Sequence, residues 1–396
     1  MLATLALFAA LSAHQEDPYL IQARALHAKY PLIDGHNDLP GVLRRRADGD
    51  FSKNNLRIAL EGAQTDIARI RSGGLGGQFW SVYVPTSLTG PEAVKQTLNQ
   101  IELVHRMIET YPDVFEAAYT ADDIERAFKR GKVASLFGME GGHSIDNSLE
   151  TLRAMYRAGA RYMTLTHNKN TPWADSCTDT PEHGGLSEFG EQVVLEMNRL
   201  GMLVDLSHVS PDTMRDALRV SRAPVIYSHS GAGGVCNHVR NVPDDVLPLV
   251  KQNGGVIMVV VLASFTSQQV YDHERSRQGA QLRFGADTQQ LRDWEAANPA
   301  PKATLAQVAD HIDHIRSKIG VDHIGIGADF DGGGGVVGLE DVSKYPMLTA
   351  ELLRRGYTES DMAKILGLNV LRAMRGAEHT AWVMRRERMG APSTSN

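Results

Sequence analysis

The segment LIDGHNDL, residues 32–39, places a histidine and an aspartate two positions apart at the end of an apolar run. His36 and Asp38 share one face of the strand that this run predicts, because side chains alternate between the two faces of a strand. An imidazole and a carboxylate on one face form half of a site for a divalent metal ion. Since His-x-Asp also arises by chance, this pair alone is weak evidence.

Five later segments repeat the arrangement, each with an apolar run that ends in a residue type found among metal ligands. They are SLFGMEGG with Glu140, YMTLTHN with His167, LVDLSHV with His208, VIYSHS with His229, and HIGIGADFDG with Asp329 and Asp331. A single histidine at such a place is more often a hydrogen-bonded core residue than a ligand. The recurrence, with carboxylates in the set, favours a metal centre.

The elements that carry these residues are short runs rich in Val, Ile, Tyr and Phe, as is typical of strands buried on both faces. Strands are predicted over residues 32–38, 77–84, 133–139, 162–167, 203–208, 224–229, 255–261 and 323–329. Amphipathic segments between them predict helices over residues 56–71, 91–110, 121–130, 148–158, 187–200, 210–220, 243–253 and 303–319. Eight β-then-α units in series predict a (β/α)8 barrel of the TIM type, with a doubly wound open sheet as the alternative.

The location of the polar residues distinguishes these two folds. Active sites of such barrels lie at the C-terminal ends of the strands. Seven candidate residues fall at or just after the end of a predicted strand: His36, Asp38, Glu140, His167, His208, His229 and Asp329. Their equivalent positions favour the barrel. Residues 262–302, after the seventh strand, are predicted to form an irregular polar insertion that serves as a lid or a subunit contact.

Composition excludes several classes of function. The 396 residues include 42% hydrophobic and 22% charged residues, which is ordinary for a globular protein. The net charge is −6 and the run Arg44-Arg45-Arg46 reads as solvated surface, so nucleic acid is excluded as the main partner. Cys177 and Cys236 are too few for a disulfide framework or a thiolate zinc site, and free thiols are favoured over a bridge between them. A metal here must therefore be held by histidines and carboxylates.

Residues 1–13 contain the continuous apolar run LATLALFAALSA directly before the polar HQEDP. The run is too short to span a bilayer as a helix and resembles the apolar core of a secretory signal peptide, although a basic start is missing. A signal peptide here predicts an exported, periplasmic or secreted protein. A folded N-terminal helix would instead predict a cytoplasmic one.

The remaining histidines are predicted to lie outside the site. His27 is expected at the surface. His311 and His314 lie three residues apart on one predicted helix and would form at most an adventitious metal site. His143, close to Glu140, is a weaker candidate, and His323, at the start of a strand, is expected to be structural.

The chain resembles the membrane (renal) dipeptidases and their bacterial relatives in motifs that follow one another in order. These motifs are DGHNDLP, RSGGLGGQFWSVYVP, EGGHSIDNS, RYMTLTHN, GMLVDLSHVS, PVIYSHS, RNVPDD, GVDHIGIGADFDG and DVSKYP. The resemblance covers residues 19–378 and implies one catalytic domain there, with residues 379–396 as a C-terminal tail. It implies a distorted (β/α)8 barrel that holds two zinc ions and hydrolyses dipeptides, commonly with a D-residue at the C-terminal position.

The resemblance also implies roles for individual residues. Five metal ligands are implied: His36 and Asp38 on one metal, His208 and His229 on the second, and Glu140 bridging both. Asp329 would transfer the proton. His167 and Arg240 would hold the substrate, and His167 would also stabilise the oxyanion.

Two features depart from the family pattern. The tail has no apolar segment, so the lipid anchor of the mammalian members is not implied and no membrane anchor is expected. After the seventh strand, where an aromatic residue is expected near the substrate, the chain has Val260-Val261-Leu262, which points to a different substrate preference. Family members often dimerise, so a homodimer is an expectation from the resemblance alone.

These residue types suit amide hydrolysis. Two divalent metals roughly 3.5–4 Å apart can hold a water between them and lower its pKa to near neutral, and a bridging carboxylate such as Glu140 sets that separation. Neutral imidazoles with few carboxylates favour Zn²⁺, with Mn²⁺ or Co²⁺ as substitutes. The predicted function is a binuclear zinc dipeptidase acting on L-Xaa-D-Xaa and L-Xaa-L-Xaa dipeptides through a metal-bridged hydroxide. The alternatives are a related amidase, lactamase or lactonase on the same barrel, and a metal-loaded binding protein without activity.

Overall fold

The computed structural model describes residues 16–388. The predicted signal peptide, residues 1–13, and residues 389–396 of the predicted C-terminal tail lie outside this range. Within it, nine strands form one sheet in which all neighbours are parallel. The strands are β1 (Leu32–Asn37), β2 (Leu75–Ser81), β3 (Phe115–Ala117), β4 (Val133–Glu140), β5 (Ala160–Thr164), β6 (Leu203–Asp205), β7 (Ile226–Ser230), β8 (Val256–Val259) and β9 (Ile324–Ile326).

Eight of these strands close into a barrel. The ring closes because β1 pairs with both β2 and β9, and β2 pairs in turn with β4. The short β3 pairs with β4 outside the ring and is the one strand of the described range that the sequence did not predict. Register shifts in the β1–β2, β4–β5 and β7–β8 pairs distort the ring. The predicted TIM-like barrel is therefore confirmed, and the open sheet is excluded.

Helices cover the outside of the barrel. In the part of the chain that the structure describes they are α1 (Pro18–Lys29), α2 (Leu39–Ala47), α3 (Ile67–Gly73), α4 (Gly90–Thr110), α5 (Ala121–Lys129), α6 (Leu149–Ala158), α7 (Glu188–Leu200), α8 (Pro211–Val220), α9 (Leu247–Asn253), α10 (Ala263–Thr266), α11 (Gln268–Phe284), α12 (Gln289–Ala297), α13 (Leu305–Ile319), α14 (Tyr345–Arg354), α15 (Glu359–Ala363) and α16 (Asn369–Arg388). A π-helical turn over residues 364–368 joins α15 to α16. Helix α16 continues past residue 378, the predicted end of the catalytic domain.

Two predicted helices are wrong in extent. In place of a helix over 56–71, α3 begins only after Asp66, whose side chain caps it by accepting a hydrogen bond from the backbone N–H of Arg69 at 2.9 Å. The predicted helix over 243–253 begins instead at Leu247. The backbone of Val242 is paired with Gly231 at 2.9 Å, which holds the preceding residues in a loop.

The insertion at 262–302 is helical, so the prediction of an irregular segment is wrong. It contains the short α10 followed by α11 and α12, which pack on each other. The two longer helices bury few side chains, namely Val270, Ala280 and Leu291. Their mostly polar sequence made this segment read as a loop, because apolar periodicity is the main sign of a helix.

A buried carboxylate joins three strands beneath the C-terminal ends of the barrel strands. Asp34 in β1 accepts hydrogen bonds from the backbone N–H of His36 at 2.9 Å and of Ala328 at 2.8 Å. Gln78 of β2 and the hydroxyl of Tyr345 in α14 donate to the same carboxylate, each at 2.7 Å. Burial raises the pKa of Asp34, and these four donors oppose that rise. The carboxylate therefore fixes the ends of β1 and β9 relative to each other.

Gly327, just after β9, allows the closest approach in the barrel interior. A Cβ atom there would lie 1.8 Å from the carbonyl oxygen of Ser228. We expect Gly327→Ala to lower the free energy of unfolding by about 3 kcal/mol or more, because backbone must shift. Gly279→Ala in α11 is the control, since nothing lies within 4 Å of its Cβ position, and it should stabilise by about 0.5–1 kcal/mol. Urea unfolding of both variants tests this, and equal stabilities would contradict it.

Candidate metal centre

A cavity of about 390 Å³ opens at the C-terminal ends of the barrel strands. It is lined by most of the residues predicted for the site: Asp38, Glu140, His167, His208, His229, Arg240, Asp329 and Asp331. His36 is fully buried and contacts Asp38 and Glu140. The structure thus brings every predicted site residue to one place.

Each of these residues lies at the end of a strand or in the loop that follows it. The positions are His36 in β1, Asp38 at the cap of α2, Glu140 at the last residue of β4, His167 after β5, His208 after β6, His229 in β7, Arg240 in the loop after β7, and Asp329 after β9. Parallel strands end at one edge of the barrel, so residues far apart in sequence meet there.

Glu140 is the central residue of the cluster. Its Oε1 atom lies 3.0 Å from Nε2 of His208, 3.4 Å from Nε2 of His229 and 3.8 Å from Nε2 of His167. Its Oε2 atom lies 3.6 Å from Nε2 of His36. One carboxylate therefore faces four imidazoles through both of its oxygens.

Three overlapping groups of side chains have the arrangement of a metal site. They are His36 with Glu140 and His229, Glu140 with His167 and His208, and His36 with Asp38 and Asp329, each with ligand atoms within 4.8 Å of one another. Glu140 belongs to two of the groups and His36 to two. The five residues predicted as ligands all occur in these groups, together with His167 and Asp329, for which other roles are predicted.

The electrostatics of the cluster suit a bound cation. Burial lowers the pKa of His208 and His229 well below the usual value, so both imidazoles are neutral and offer lone pairs. Burial alone would lower the pKa of His36, but the neighbouring Glu140 and Asp38 raise it to about 10. The field that holds a proton on His36 would also attract a metal ion in its place.

The distances support the same conclusion. Nε2 of His208 lies 3.0 Å from Nε2 of His229, and both face the Glu140 carboxylate. Buried carboxylates and neutral imidazoles that point at one another are costly to keep out of water without a compensating cation. The donor set, all imidazole and carboxylate, fits Zn²⁺ and similar divalent metals.

Hydrogen bonds behind two of the imidazoles fix their orientation. The Nδ1 atom of His36 lies 2.8 Å from the hydroxyl of Tyr162, which donates to the carbonyl of Gly35 at 3.2 Å. The Nδ1 atom of His229 lies 2.8 Å from the hydroxyl of Ser228, which donates to the buried carboxylate of Asp205 at 2.6 Å. These bonds leave Nε2 of both histidines free to bind a metal.

Three of the seven non-glycine residues with positive φ in the described range lie in the site. His208, Asp329 and Asp331 have φ values of 68°, 61° and 65°, in the left-handed region that non-glycine residues rarely adopt. Such strain persists where the surrounding structure imposes it, and it often marks functional residues.

Arg240 carries a buried positive charge in the same cavity. Its side chain is 3% exposed and donates to the carbonyl of His229 at 3.3 Å and the hydroxyl of Ser230 at 3.5 Å. The ring of Phe265 covers it at 5.3 Å. No carboxylate among residues 16–388 forms an ion pair with this guanidinium.

The sequence missed the aromatic residues of the cavity wall. Tyr83, after β2, packs on His167 with ring centroids 4.8 Å apart, and Phe265 of α10 packs on His238 at 4.2 Å. An aromatic residue is thus present after the strand at 256–259, in α10 rather than in the segment Val260-Val261-Leu262. The signal that the sequence offered is Phe265 itself, an aromatic residue three positions after Leu262.

The loop after β7 and helix α10 are tied to each other. The amide of Asn241 donates to the carbonyls of Cys236 and Phe265, both at 2.8 Å. His311 accepts a hydrogen bond from the backbone of Ala232 at 2.8 Å and lies 3.0 Å from the carbonyl of Thr266. Both ring nitrogens of His311 are therefore occupied, which argues against the adventitious metal site predicted for it.

Other histidines have structural roles. His27, expected at the surface, is 4% exposed and lies 2.8 Å from the hydroxyl of Thr349, so that prediction is wrong. His323 lies 2.8 Å from the carbonyl of Gly255, as a structural residue should. The described residues include no disulfide, and both cysteines are free.

Sequence comparison identifies the family of this barrel. A model of the membrane dipeptidase family, peptidase family M19, matches residues 20–388. The chain belongs to the membrane dipeptidase family. It is 43% identical over 363 residues to Dipeptidase 3 of Mus musculus. The aligned region covers 90% of this chain and 66% of the mouse protein. It is 41% identical over 387 residues to Dipeptidase verJ of Clonostachys rogersoniana. The aligned region covers 93% of this chain and 90% of that protein.

Solved structures agree with this assignment. The probable dipeptidase PvdM from Pseudomonas aeruginosa is 27% identical, with a TM-score of 0.80 over 91% of this chain and 99% of PvdM. A metallo peptidase from Rhodobacter sphaeroides, liganded with a phosphinate mimic of the dipeptide L-Ala-D-Ala, is 25% identical, with a TM-score of 0.74 over 88% of this chain and 99% of that chain. Family membership makes this membrane dipeptidase homologue a metal-dependent hydrolase of peptide bonds. Among residues 16–388, no helix has the length and apolar character needed to cross a membrane.

Ser228→Ala should weaken metal binding without unfolding the barrel. The change removes the hydroxyl that connects His229 to Asp205, and loss of such a bond behind a ligand typically costs about 10–100-fold in metal affinity. The control is Ser221→Ala, which removes a hydroxyl that donates to Ala223 at 2.8 Å, before β7 begins. Chelator competition on both variants measures the difference. Equal metal retention would show that the Ser228 hydroxyl does not support the centre.

Proposed function

We propose that this member of the membrane dipeptidase family is a binuclear zinc dipeptidase. The observation that carries the proposal is the unpaired guanidinium of Arg240 in the same cavity as the Glu140 cluster. A buried positive charge without a carboxylate partner is suited to a substrate that brings its own carboxylate. A scissile bond at the cluster, one residue away from that carboxylate, describes a substrate that is cut before its C-terminal residue, and membership of the membrane dipeptidase family favours a dipeptide among such substrates.

Five residues would hold two metals in this proposal. His36 and Asp38 would bind one metal, His208 and His229 would bind the other, and Glu140 would bind both. The overlap of the ligand groups at Glu140 supports a bridging role. Two bound divalent ions would polarise the substrate carbonyl and lower the pKa of an attacking water. Zn²⁺ suits the imidazole-rich donor set, and Mn²⁺ or Co²⁺ could replace it.

Asp329 is the proposed proton carrier. It is 7% exposed, and burial, with a contribution from Asp38, raises the pKa of its carboxyl to about 7. A carboxyl with a pKa near neutrality can accept a proton from water and pass it to the leaving amine nitrogen. Its left-handed backbone, with φ of 61°, turns the residue towards the ligand cluster.

His167 and Arg240 are the proposed substrate-binding residues. Burial, together with the nearby Arg240, lowers the pKa of His167 to about 3, so its imidazole is neutral and can donate one hydrogen bond to a developing oxyanion. Its ring is held between those of Tyr83 and His208, at 4.8 Å and 4.3 Å. Arg240 would bind the C-terminal carboxylate through two parallel hydrogen bonds.

The proposed substrates are L-Xaa-D-Xaa and L-Xaa-L-Xaa dipeptides. The Rhodobacter sphaeroides relative is liganded with a phosphinate mimic of L-Ala-D-Ala, which supports acceptance of a C-terminal D-residue. A clamp on the carboxylate alone places little constraint on the configuration of the adjacent α-carbon.

Metal analysis and a dipeptide panel test the function together. We expect about two metal ions per chain, cleavage of Ala-Ala in both L,L and L,D forms, and loss of cleavage after chelation. C-terminal amides of the same dipeptides should react at least about tenfold more slowly, because Arg240 loses its charged partner. Two metals with cleavage of other amides or lactones but no dipeptides would favour a related amidase or lactonase. A chain that binds no metal after supplementation would contradict the proposal.

Asp329→Asn should retain both metals, and its kcat should fall by a factor of about 10²–10⁴, because the amide cannot carry the proton. Asp331→Asn is the control. Asp331 lies in the same turn and also has a left-handed backbone, but its carboxylate accepts from the backbone of Gln64 at 2.7 Å. Metal content and kcat are measured for both variants. If Asp329→Asn loses metal instead, Asp329 is a ligand and the proton role is wrong.

A further inference from the structure

The three arginines at 44–46 differ in their surroundings, although the sequence presents them as one surface run. Arg44 donates to the carbonyl of Asn99 at 2.7 Å and to Asp48 at 3.2 Å. Arg46 donates to the carbonyl of Glu61. Arg45 lies between them, is exposed, and lines the catalytic cavity. Within residues 16–388 it forms no ion pair and no side-chain hydrogen bond.

Helix geometry directs Arg45 towards the site. Asp38 caps the start of α2, and Arg45 lies seven residues later, which is close to two full turns and therefore on the same face. Side chains of a helix lean towards its N-terminus, so Arg45 reaches back over Gly41 towards Asp38. A Cβ atom on Gly41 would lie 3.1 Å from Nη1 of Arg45. The glycine thus leaves the space that the guanidinium occupies.

The carboxylates on neighbouring segments contact other groups rather than Arg45. Asp38 lies 3.2 Å from Nε2 of His36, Asp48 pairs with Arg44, and Asp331 accepts from the backbone of Gln64. Burial, Glu140 and Asp38 raise the pKa of the Tyr83 hydroxyl to about 12. The positive charge of Arg45 is near enough to oppose this rise. Arg45 and Tyr83 therefore form one wall of the cavity that offers a cation and a hydroxyl.

This wall faces the proposed carboxylate clamp. Arg45 follows β1 and Tyr83 follows β2, whereas Arg240 follows β7. In the closed ring β7 is four strands from β2 in either direction, so the two walls lie across the cavity from each other. A dipeptide whose carboxylate lies at Arg240 and whose peptide bond lies at Glu140 would extend its N-terminal residue towards Arg45 and Tyr83.

We propose that Arg45 forms a subsite for an anionic side chain on the N-terminal residue of the substrate. The inference rests on the proposed dipeptidase function and specifies its substrate class, namely dipeptides that begin with Glu or Asp. The guanidinium would bind the side-chain carboxylate, and the same charge would repel an N-terminal Lys or Arg side chain. An exposed pair of this kind is modest in strength and weakens at high salt.

The test compares Glu-Ala with Gln-Ala, which differ only in charge at the first side chain. In the wild-type protein we expect kcat/KM to favour Glu-Ala by roughly five- to tenfold at low salt, and less at high salt. Arg45→Gln should bring the ratio to about one, and Arg45→Glu should invert it, while cleavage of Gln-Ala changes little. Arg46→Gln removes the same charge outside the cavity and should keep the wild-type ratio.

Several results would overturn the subsite. One is a Glu-Ala to Gln-Ala ratio of kcat/KM near one in the wild-type protein, and another is a ratio that Arg45→Gln leaves unchanged. A third is an equal loss of kcat/KM on both substrates in Arg45→Gln, which would mean that Arg45 binds a group common to them. Binding is measured in parallel by calorimetry, with phosphinate dipeptide mimics whose first residue is Glu or Gln. If no dipeptide is cleaved but the Glu mimic binds more tightly in an Arg45-dependent way, the subsite stands and the proposed reaction falls.

Discussion

The burial of several carboxylates at one end of a closed barrel is the constraint on which the rest of this structure depends. Asp38, Glu140 and Asp329 are withdrawn from water beside His36, whose pKa they raise, and Glu140 also faces His208, which burial keeps neutral. Burial raises the pKa of Glu140 to about 8, which measures how unfavourable its charge is there without compensation. A bound cation relieves this cost, so the family's metal dependence follows from where the chain places its charges.

The barrel meets this constraint with a second layer of buried polar groups. Asp34 holds the ends of β1 and β9, and Asp205 supports His229 through Ser228. Neither carboxylate lines the cavity, yet each determines where a residue of the cluster points. The side chains of the cluster are therefore held in position by hydrogen bonds behind them, which join different strands of the barrel.

How much the sequence predicted depends on the kind of information that each feature requires. The ligand cluster was predictable because metal-binding residue types stand out where buried strands end, and the barrel brings those ends together. The helices at 268–297 were not, because they bury little and so lack apolar periodicity. The difference between Arg45 and its two neighbours is equally invisible in sequence, since it arises from a glycine one turn away and from partners on other segments.

Hydrogen bonds between the loop after β7 and α10 divide the insertion into an attached part and an outer part. Asn241 and His311 attach Phe265 and Thr266 to the barrel, so the wall around Arg240 behaves as one rigid piece with its scaffold. Beyond Ser267, helices α11 and α12 bury few side chains. Helices α11 and α12 can thus change in length or in surface during evolution while the wall around Arg240 stays in place. Substitutions on the surface of these two helices are therefore expected to leave the wall around Arg240 in place.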